Sequence, residues 1–159
     1  MYSRIKDHNS GGSLRSKARF GPGKSIIYAT QFGTLASLRW WTTTANAPPL
    51  PHGSEPMITK IASAHGHTHI LSFWYSLRRE KLIYDNQVLV LATKMGHVDV
   101  LKWWKRSGLR VEYKICDIEE ALEDGVDDVR GEQVRRWWAV NGLNLGVGTS
   151  EWMRTKVLD

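Results

Sequence analysis

Three histidines at alternate positions, His65, His67 and His69, have the residue type and spacing that come closest to a metal site. Neutral imidazole binds zinc or nickel, but a structural site needs further ligands at suitable spacing. No acidic residue flanks the triplet, and the single cysteine, Cys116, is distant in the sequence. We therefore expect no bound metal and no cofactor.

Two other groups of residues resemble parts of catalytic motifs. Lys24 and Ser25 end a run of glycine and proline, as in a phosphate-binding loop. The complete motif needs a glycine where this chain has Ala18, and no strand pattern leads into the run. Cys116 precedes acidic residues that begin at Asp117, and their charge raises the pKa of a thiol and opposes a nucleophilic role. We therefore expect a protein that is not an enzyme.

The composition is that of an ordinary globular chain. Of the 159 residues, 42% are apolar and 24% are charged, which excludes a wholly disordered or fibrous protein. No apolar run approaches the ~18 residues of a membrane-spanning helix, and the first segment lacks the apolar centre of a secretory signal. These features favour an intracellular protein, cytoplasmic or nuclear, without a membrane partner. Arginines and serines in the first segment leave a mitochondrial address open.

The formal net charge of +6 is distributed unevenly. Residues 1–24 carry six basic residues and one acidic residue, and their serine and glycine content predicts a flexible basic arm over residues 1–23. Residues 78–110 carry a net charge of +5, whereas residues 112–132 carry −7. Basic segments bind phosphate backbones. A nucleic-acid-binding protein that uses the arm and residues 78–110 is therefore the alternative function.

The chain repeats an alanine placed four residues before a glycine. The glycines are 33, 30 and 29 residues apart and stand at Gly33, Gly66, Gly96 and Gly125. An aromatic pair starts seven residues after each of the first three glycines and twelve residues after the fourth, at Trp40, Phe73, Trp103 and Trp137. Self-similarity at this period predicts a repeat architecture.

Each repeat has the pattern of two short helices joined by a glycine turn. In the third repeat, Gln87–Met95 is apolar on one face, and Gly96 supplies the left-handed backbone that ends a helix. The second helix covers about residues 98–107 and carries Trp103 and Trp104 on a broad apolar face. Helices of about ten residues are marginal alone. We therefore expect the aromatic pairs to be buried between successive repeats.

The segment Ala92–Leu109, with the sequence ATKMGHVDVLKWWKRSGL, resembles an ankyrin repeat. That family has a Gly-His step, a second helix rich in valine and leucine, and a second glycine twelve residues after the first, as Gly96 and Gly108 are here. More narrowly, the segment is similar to the divergent ankyrin repeats of fungal proteins, in which a Trp pair and Ser-Gly-Leu replace Leu-Leu and Gly-Ala.

The resemblance covers roughly residues 24–145 and implies an all-α fold. The implied architecture is a short ankyrin-like helical solenoid of about four helix-turn-helix repeats. It also implies that His67 and His97 lie at inter-helix turns, where an imidazole bonds to neighbouring backbone. The Thr-Pro-Leu-His opening of the family is absent, and a shorter spacing after Gly108 shortens the loop where the family forms its β-hairpin finger. Residues 146–159 contain a helix N-cap signal and are predicted to form a C-terminal capping helix.

The resemblance implies a non-catalytic protein-protein interaction module, an ankyrin-repeat scaffold or adaptor. Its partner would lie along the concave face formed by the first helices and the loops. Because the loops are short, we expect binding also at an edge where basic and tyrosine residues of two consecutive repeats meet. Tyrosine and arginine are frequent interface hot spots, so this edge suits an acidic protein partner. The expected binding residues are Arg78, Arg79, Lys81, Tyr84, Arg106, Arg110, Tyr113 and Lys114.

Overall fold

Four consecutive helix pairs make up most of the protein. The computed structural model describes residues 22–143 and 149–159. The pairs are α1 Pro22–Gln31 with α2 Leu35–Thr43, α3 Ser54–Ala64 with α4 Thr68–Arg78, α5 Gln87–Lys94 with α6 Val98–Arg106, and α7 Ile115–Glu123 with α8 Val129–Val140. A 3₁₀ turn, Arg79–Lys81, follows α4. The predicted all-α character is confirmed. The predicted basic arm lies outside the described residues, except that Pro22 and Gly23 already belong to α1.

The helices form two layers. The first helices contact one another in chain order, from α1 through α3 and α5 to α7, and the second helices do the same from α2 through α4 and α6 to α8. We call these the first-helix layer and the second-helix layer. Each short helix therefore buries one face against its neighbours along the stack, as its length requires.

Glycines make three of the four inter-helix turns. Gly33, Gly66 and Gly96 have φ angles of 68°, 77° and 76°, the left-handed region that the repeat pattern predicts. The fourth turn is longer, because residues 124–128 separate α7 from α8. There the Asp128 carboxylate caps α8 by accepting hydrogen bonds from the backbone N–H groups of Arg130 and Gly131.

The second tryptophan of an aromatic pair joins successive helix pairs. Trp74, Trp104 and Trp138 are fully buried. The indole N–H of Trp104 donates to Ser63 Oγ at 3.1 Å, and that of Trp138 donates to Thr93 Oγ1 at 2.9 Å. Each acceptor immediately follows the repeated alanine of the preceding repeat. These tryptophans therefore confirm that the core runs between the repeats.

The first aromatic residue of each pair occupies a different environment. Trp40 is 52% exposed, and Phe73, Trp103 and Trp137 are half-buried. Consecutive residues of an α-helix point about 100° apart, so only one member of a pair can face the layer beneath. The expectation that both members are buried is therefore wrong for the first members. It is also wrong for Trp41, the second member of the first pair, which is half-buried.

The described part of the C-terminal tail forms a short helix followed by a strand, where one capping helix was predicted. The described helix α9, Thr149–Trp152, has four residues, and β2, Thr155–Leu158, follows it. Strand β2 pairs antiparallel with β1, Val111–Lys114, in a register that places Val111 opposite Leu158. β-Branched residues at Thr155 and Val157 favour a strand. The prediction of a capping helix over residues 146–159 is therefore wrong for residues 155–158.

Candidate functional site

Two histidines of the triplet, His67 and His69, bond to backbone carbonyl groups of the preceding repeat. His67 Nε2 lies 2.8 Å from the carbonyl oxygen of Gln31, and His69 Nε2 lies 2.9 Å from that of Gly33. A carbonyl only accepts, so Nε2 carries the proton in both rings. His97 bonds to the backbone of Ala64, and burial lowers its pKa from the ordinary value. Hydrogen bonds to neighbouring backbone, implied by the resemblance, are thus confirmed.

The histidine rings also explain why the turns carry glycine. A Cβ atom built at Gly33 would lie 2.9 Å from the His67 ring, and one at Gly66 would lie 2.7 Å from the His97 ring. In the fourth repeat valine replaces histidine, and the backbone N–H of Val126 donates to the Lys94 carbonyl at 3.0 Å. Within residues 22–143 and 149–159, no group of three or more His, Cys, Asp or Glu side chains is placed to hold a metal ion.

The other candidate chemical groups occupy structural positions. Lys24 and Ser25 lie inside α1 and not in a loop. Cys116 is half-buried near the start of α7, and its thiol donates to Asp117 Oδ1 at 3.6 Å. Burial, followed by the negative charge of Asp117, raises the pKa of the Cys116 thiol. The thiolate that a nucleophile needs is therefore disfavoured.

A groove opens between the loop after α4 and strand β1, and we call it the edge groove. Its volume is about 640 Å³. One wall is the extended segment 82–86 and the other is residues 110–114, with Thr155 of β2 at its end. The groove brings together four of the predicted binding residues: Tyr84, Arg110, Tyr113 and Lys114.

Hydrogen bonds and ring contacts fix the two tyrosines of the edge groove. Tyr84 donates its hydroxyl to the Arg110 carbonyl at 3.0 Å and packs against Trp104, with ring centroids 5.1 Å apart. Burial raises the pKa of Tyr84. Tyr113 is only 4% exposed and packs on Trp138 at 5.1 Å. Tyr113 is therefore chiefly a core residue, and Tyr84 is the tyrosine that a partner would contact.

The remaining predicted residues do not form one set. Arg78 pairs with Glu55 at 2.5 Å, and its guanidinium lies 5.8 Å from the Trp74 ring centroid. Arg79 and Lys81 are exposed in the turn that leads to the edge groove. Arg106 lines a different groove, between α4 and α6 of the second-helix layer. The prediction that all the basic residues share one edge is therefore wrong for Arg106.

Sequence reasoning missed Ile83, which lines the edge groove and is 52% exposed. Leu82 beside it is buried, so the segment alternates between inward and outward side chains as extended chain does. The alternation of side chains in this segment could have identified Ile83 as an exposed apolar residue from the sequence. Asp85 and Asn86 also line the groove, and Asp85 pairs with Lys60 of α3 at 2.7 Å.

The exposed side of the first-helix layer becomes acidic toward α7. Lys94 of α5 lies 3.4 Å from Asp124, and Asn86 donates to Asp117 at 3.4 Å. Helix α7 itself carries four carboxylates and no basic residue. The expected concave face is therefore not uniformly basic. The positive charge near the groove lies outside the α-helices, at Arg79, Lys81, Arg110 and Lys114.

None of the helices within the described ranges is both long and apolar enough to cross a membrane. Comparisons with protein-family models, with curated protein sequences and with solved structures found no match to this chain.

Proposed function

We propose that the protein is a non-catalytic protein-protein interaction module built as an ankyrin-like solenoid of about four repeats. The support for the solenoid is the recurrence of one arrangement: a glycine turn, a buried second tryptophan and, at two junctions, an indole N–H bonded to the preceding repeat. A stack of this kind presents continuous surfaces along its length, which are suited to binding extended partners.

The main support for a protein interaction is the composition of the edge groove. It combines an exposed apolar side chain, Ile83, with the half-buried Tyr84 and the basic residues Arg110 and Lys114. Apolar contact at the centre and polar contact at the rim are the arrangement of protein interfaces. Two of the acidic neighbours already have basic partners, since Asp85 pairs with Lys60 and Glu112 lies 3.4 Å from Arg110.

The partner that fits the edge groove is an extended, acidic protein segment. The groove lies between the two chain segments 82–86 and 110–114, so its shape is elongated. Arg79 and Lys81 are exposed close to one of these segments in sequence and extend the positive charge beyond it. We place the interaction inside the cell, in the cytoplasm or nucleus, as the resemblance to ankyrin repeats implies, with the mitochondrion as the alternative.

The test is partner capture with two matched charge reversals. Arg79→Glu with Arg110→Glu places acidic side chains at the edge groove, and we expect it to abolish capture of the partner that wild-type protein retains. Lys102→Glu with Arg106→Glu changes the net charge equally on the second-helix layer and should leave capture intact. Equal retention by all three proteins would contradict the proposal, provided that circular dichroism shows the same helicity.

A further inference from the structure

Positive charge is concentrated in the second-helix layer. Helices α2, α4, α6 and α8 contain eight basic and two acidic residues, whereas α1, α3, α5 and α7 contain three basic and five acidic residues. The two layers therefore differ in net charge by eight, from +6 to −2. A surface with this field attracts polyanions and raises their association rate.

Two grooves of similar composition lie side by side on the second-helix layer. The first, between α4 and α6, has a volume of about 450 Å³ and contains Trp103, Lys102 and Arg106. The second, between α6 and α8, has a volume of about 630 Å³ and contains Trp137, Lys102 and Arg136. Each groove thus places an indole beside two cationic side chains, and Lys102 belongs to both.

The indoles of these grooves are held in fixed orientations. Trp103 donates its N–H to Ser72 Oγ at 2.8 Å and meets Trp104 edge-on, with centroids 5.0 Å apart. Trp137 meets Trp138 in the same way at 5.0 Å and 84°. Both indoles stay half-buried, because their buried neighbours occupy the core position. A ring that is fixed and partly exposed loses little entropy when a planar ligand stacks on it.

The cations beside the indoles remain accessible. The Lys102 side chain is 44% exposed and lies 3.9 Å from Asp99, a weak pair at the surface. Arg136 is 77% exposed even though it pairs with Glu132. Farther along the layer, the Arg39 guanidinium lies 5.9 Å from the Phe73 ring centroid. The combination of an aromatic ring and a cation therefore recurs from α2 to α8.

We propose that the second-helix layer binds single-stranded nucleic acid through these grooves. Phosphate groups would contact Lys102, Arg106 and Arg136, and bases would stack on Trp103 and Trp137. Binding that is tolerant of sequence uses this combination of a basic groove and stacking aromatic side chains. A rigid duplex keeps its bases paired and cannot offer them to the indoles. The Asp and Glu side chains of an acidic peptide have no ring that could stack on an indole.

This inference goes beyond the proposed protein interaction. It also places nucleic-acid binding on the second-helix layer and not on the basic arm. The sequence placed the nucleic-acid alternative on the arm and on residues 78–110. Within those residues, Lys94 pairs with Asp124 and Arg110 lies beside Glu112. Lys102 and Arg106 share a groove with the half-buried indole of Trp103, and Lys102 also lines the groove that contains Arg136 and Trp137.

The experiment measures fluorescence anisotropy of labelled oligo(dT) and oligo(U) of about 20 nucleotides, a length that covers one binding site. The full-length protein is titrated between about 50 and 200 mM salt. We expect Lys102→Glu with Arg106→Glu to weaken binding at least about tenfold and to lower the salt slope by about 1.4, because each lost phosphate contact removes about 0.7. Arg79→Glu with Arg110→Glu has the same net charge and should change the affinity less than about threefold, through screened long-range attraction only.

A second variant separates stacking from charge. Trp103→Leu keeps every cation and should weaken oligonucleotide binding by about fivefold or more, since each stacked base contributes about 1–3 kcal/mol. Oligo(dT) and oligo(U) should compete with each other. Three results would overturn the proposal: equal losses in the two charge reversals, displacement of the oligonucleotide by polyglutamate at the same charge concentration, or no saturable binding. If Trp103→Leu fails to fold, the two charge-reversal variants alone test whether the second-helix layer binds the oligonucleotide.

Discussion

The hydrogen bond between Trp138 and Thr93 offers a direct test of how the repeats are joined. The indole N–H donates to Thr93 Oγ1 at 2.9 Å, and Thr93 is only 2% exposed. Thr93→Val keeps the shape of the side chain but removes the acceptor. Because water cannot reach the site, the indole N–H of the variant is left without a partner.

The expected cost follows from burying an unsatisfied donor, about 1–3 kcal/mol. For a chain of this length, 1 kcal/mol corresponds to about 2–4 °C in melting temperature. The variant should therefore melt about 2–12 °C below the wild type. Thr43→Val is the matched control, since Thr43 is exposed and its hydroxyl bonds only to the Arg39 carbonyl of its own helix. That change should stay within about 0.5 kcal/mol.

The assay is urea unfolding followed by circular dichroism, repeated in a Trp138→Phe background. Phenylalanine has no N–H to satisfy, so Thr93→Val should cost nearly nothing there. If Thr93→Val costs no more than the Thr43→Val control, or costs the same in both backgrounds, the indole does not bond across the repeat junction and this account of the core is refuted.

Two further predictions concern the glycine turns and the histidines. Gly66→Ala should lower the free energy of unfolding more than Gly108→Ala does in denaturant melts. Both glycines have positive φ, but only a Cβ at Gly66 would meet a ring, at 2.7 Å from His97. Equal losses for the two variants would contradict this contact. Burial lowers the pKa of His97 below its unfolded value, so its contribution to stability is complete above about pH 6.5 and is lost as the pH falls through the folded pKa. Melts between about pH 7 and pH 5 should show a smaller loss for His97→Gln than for the wild type, and parallel profiles would contradict this role.

The repeat pattern predicted the helix pairs because two independent signals coincide in each repeat. A glycine with no Cβ is required where the backbone turns left-handed against a histidine, as at Gly66. Apolar residues at i, i+3 and i+4 are required where a helix faces the layer beneath, as at Val100 and Trp104. Both requirements are local, so they are visible in the sequence.

Features that depend on contacts between distant segments were not predictable in the same way. Strand β2 forms because β1 offers an unpaired edge, and nothing in residues 155–158 alone identifies that partner. The placement of Arg106 follows from the phase of α6, which sends it to the second-helix layer while Arg110 lies four residues later beside the edge groove. Arg106 and Arg110 were assigned to one surface because they are close in sequence. Helix α6 ends between them, so they lie on different surfaces.

Photocrosslinking at Ile83 is the measurement that tests the proposed function most directly. A photoreactive phenylalanine derivative at this exposed position lies in the edge groove, whereas the same group at Val140, which is also exposed, lies on the second-helix layer. The account predicts one dominant protein adduct from position 83, lost with Arg79→Glu and Arg110→Glu, and no such adduct from position 140. An adduct formed equally from both positions, or only from position 140, would contradict it.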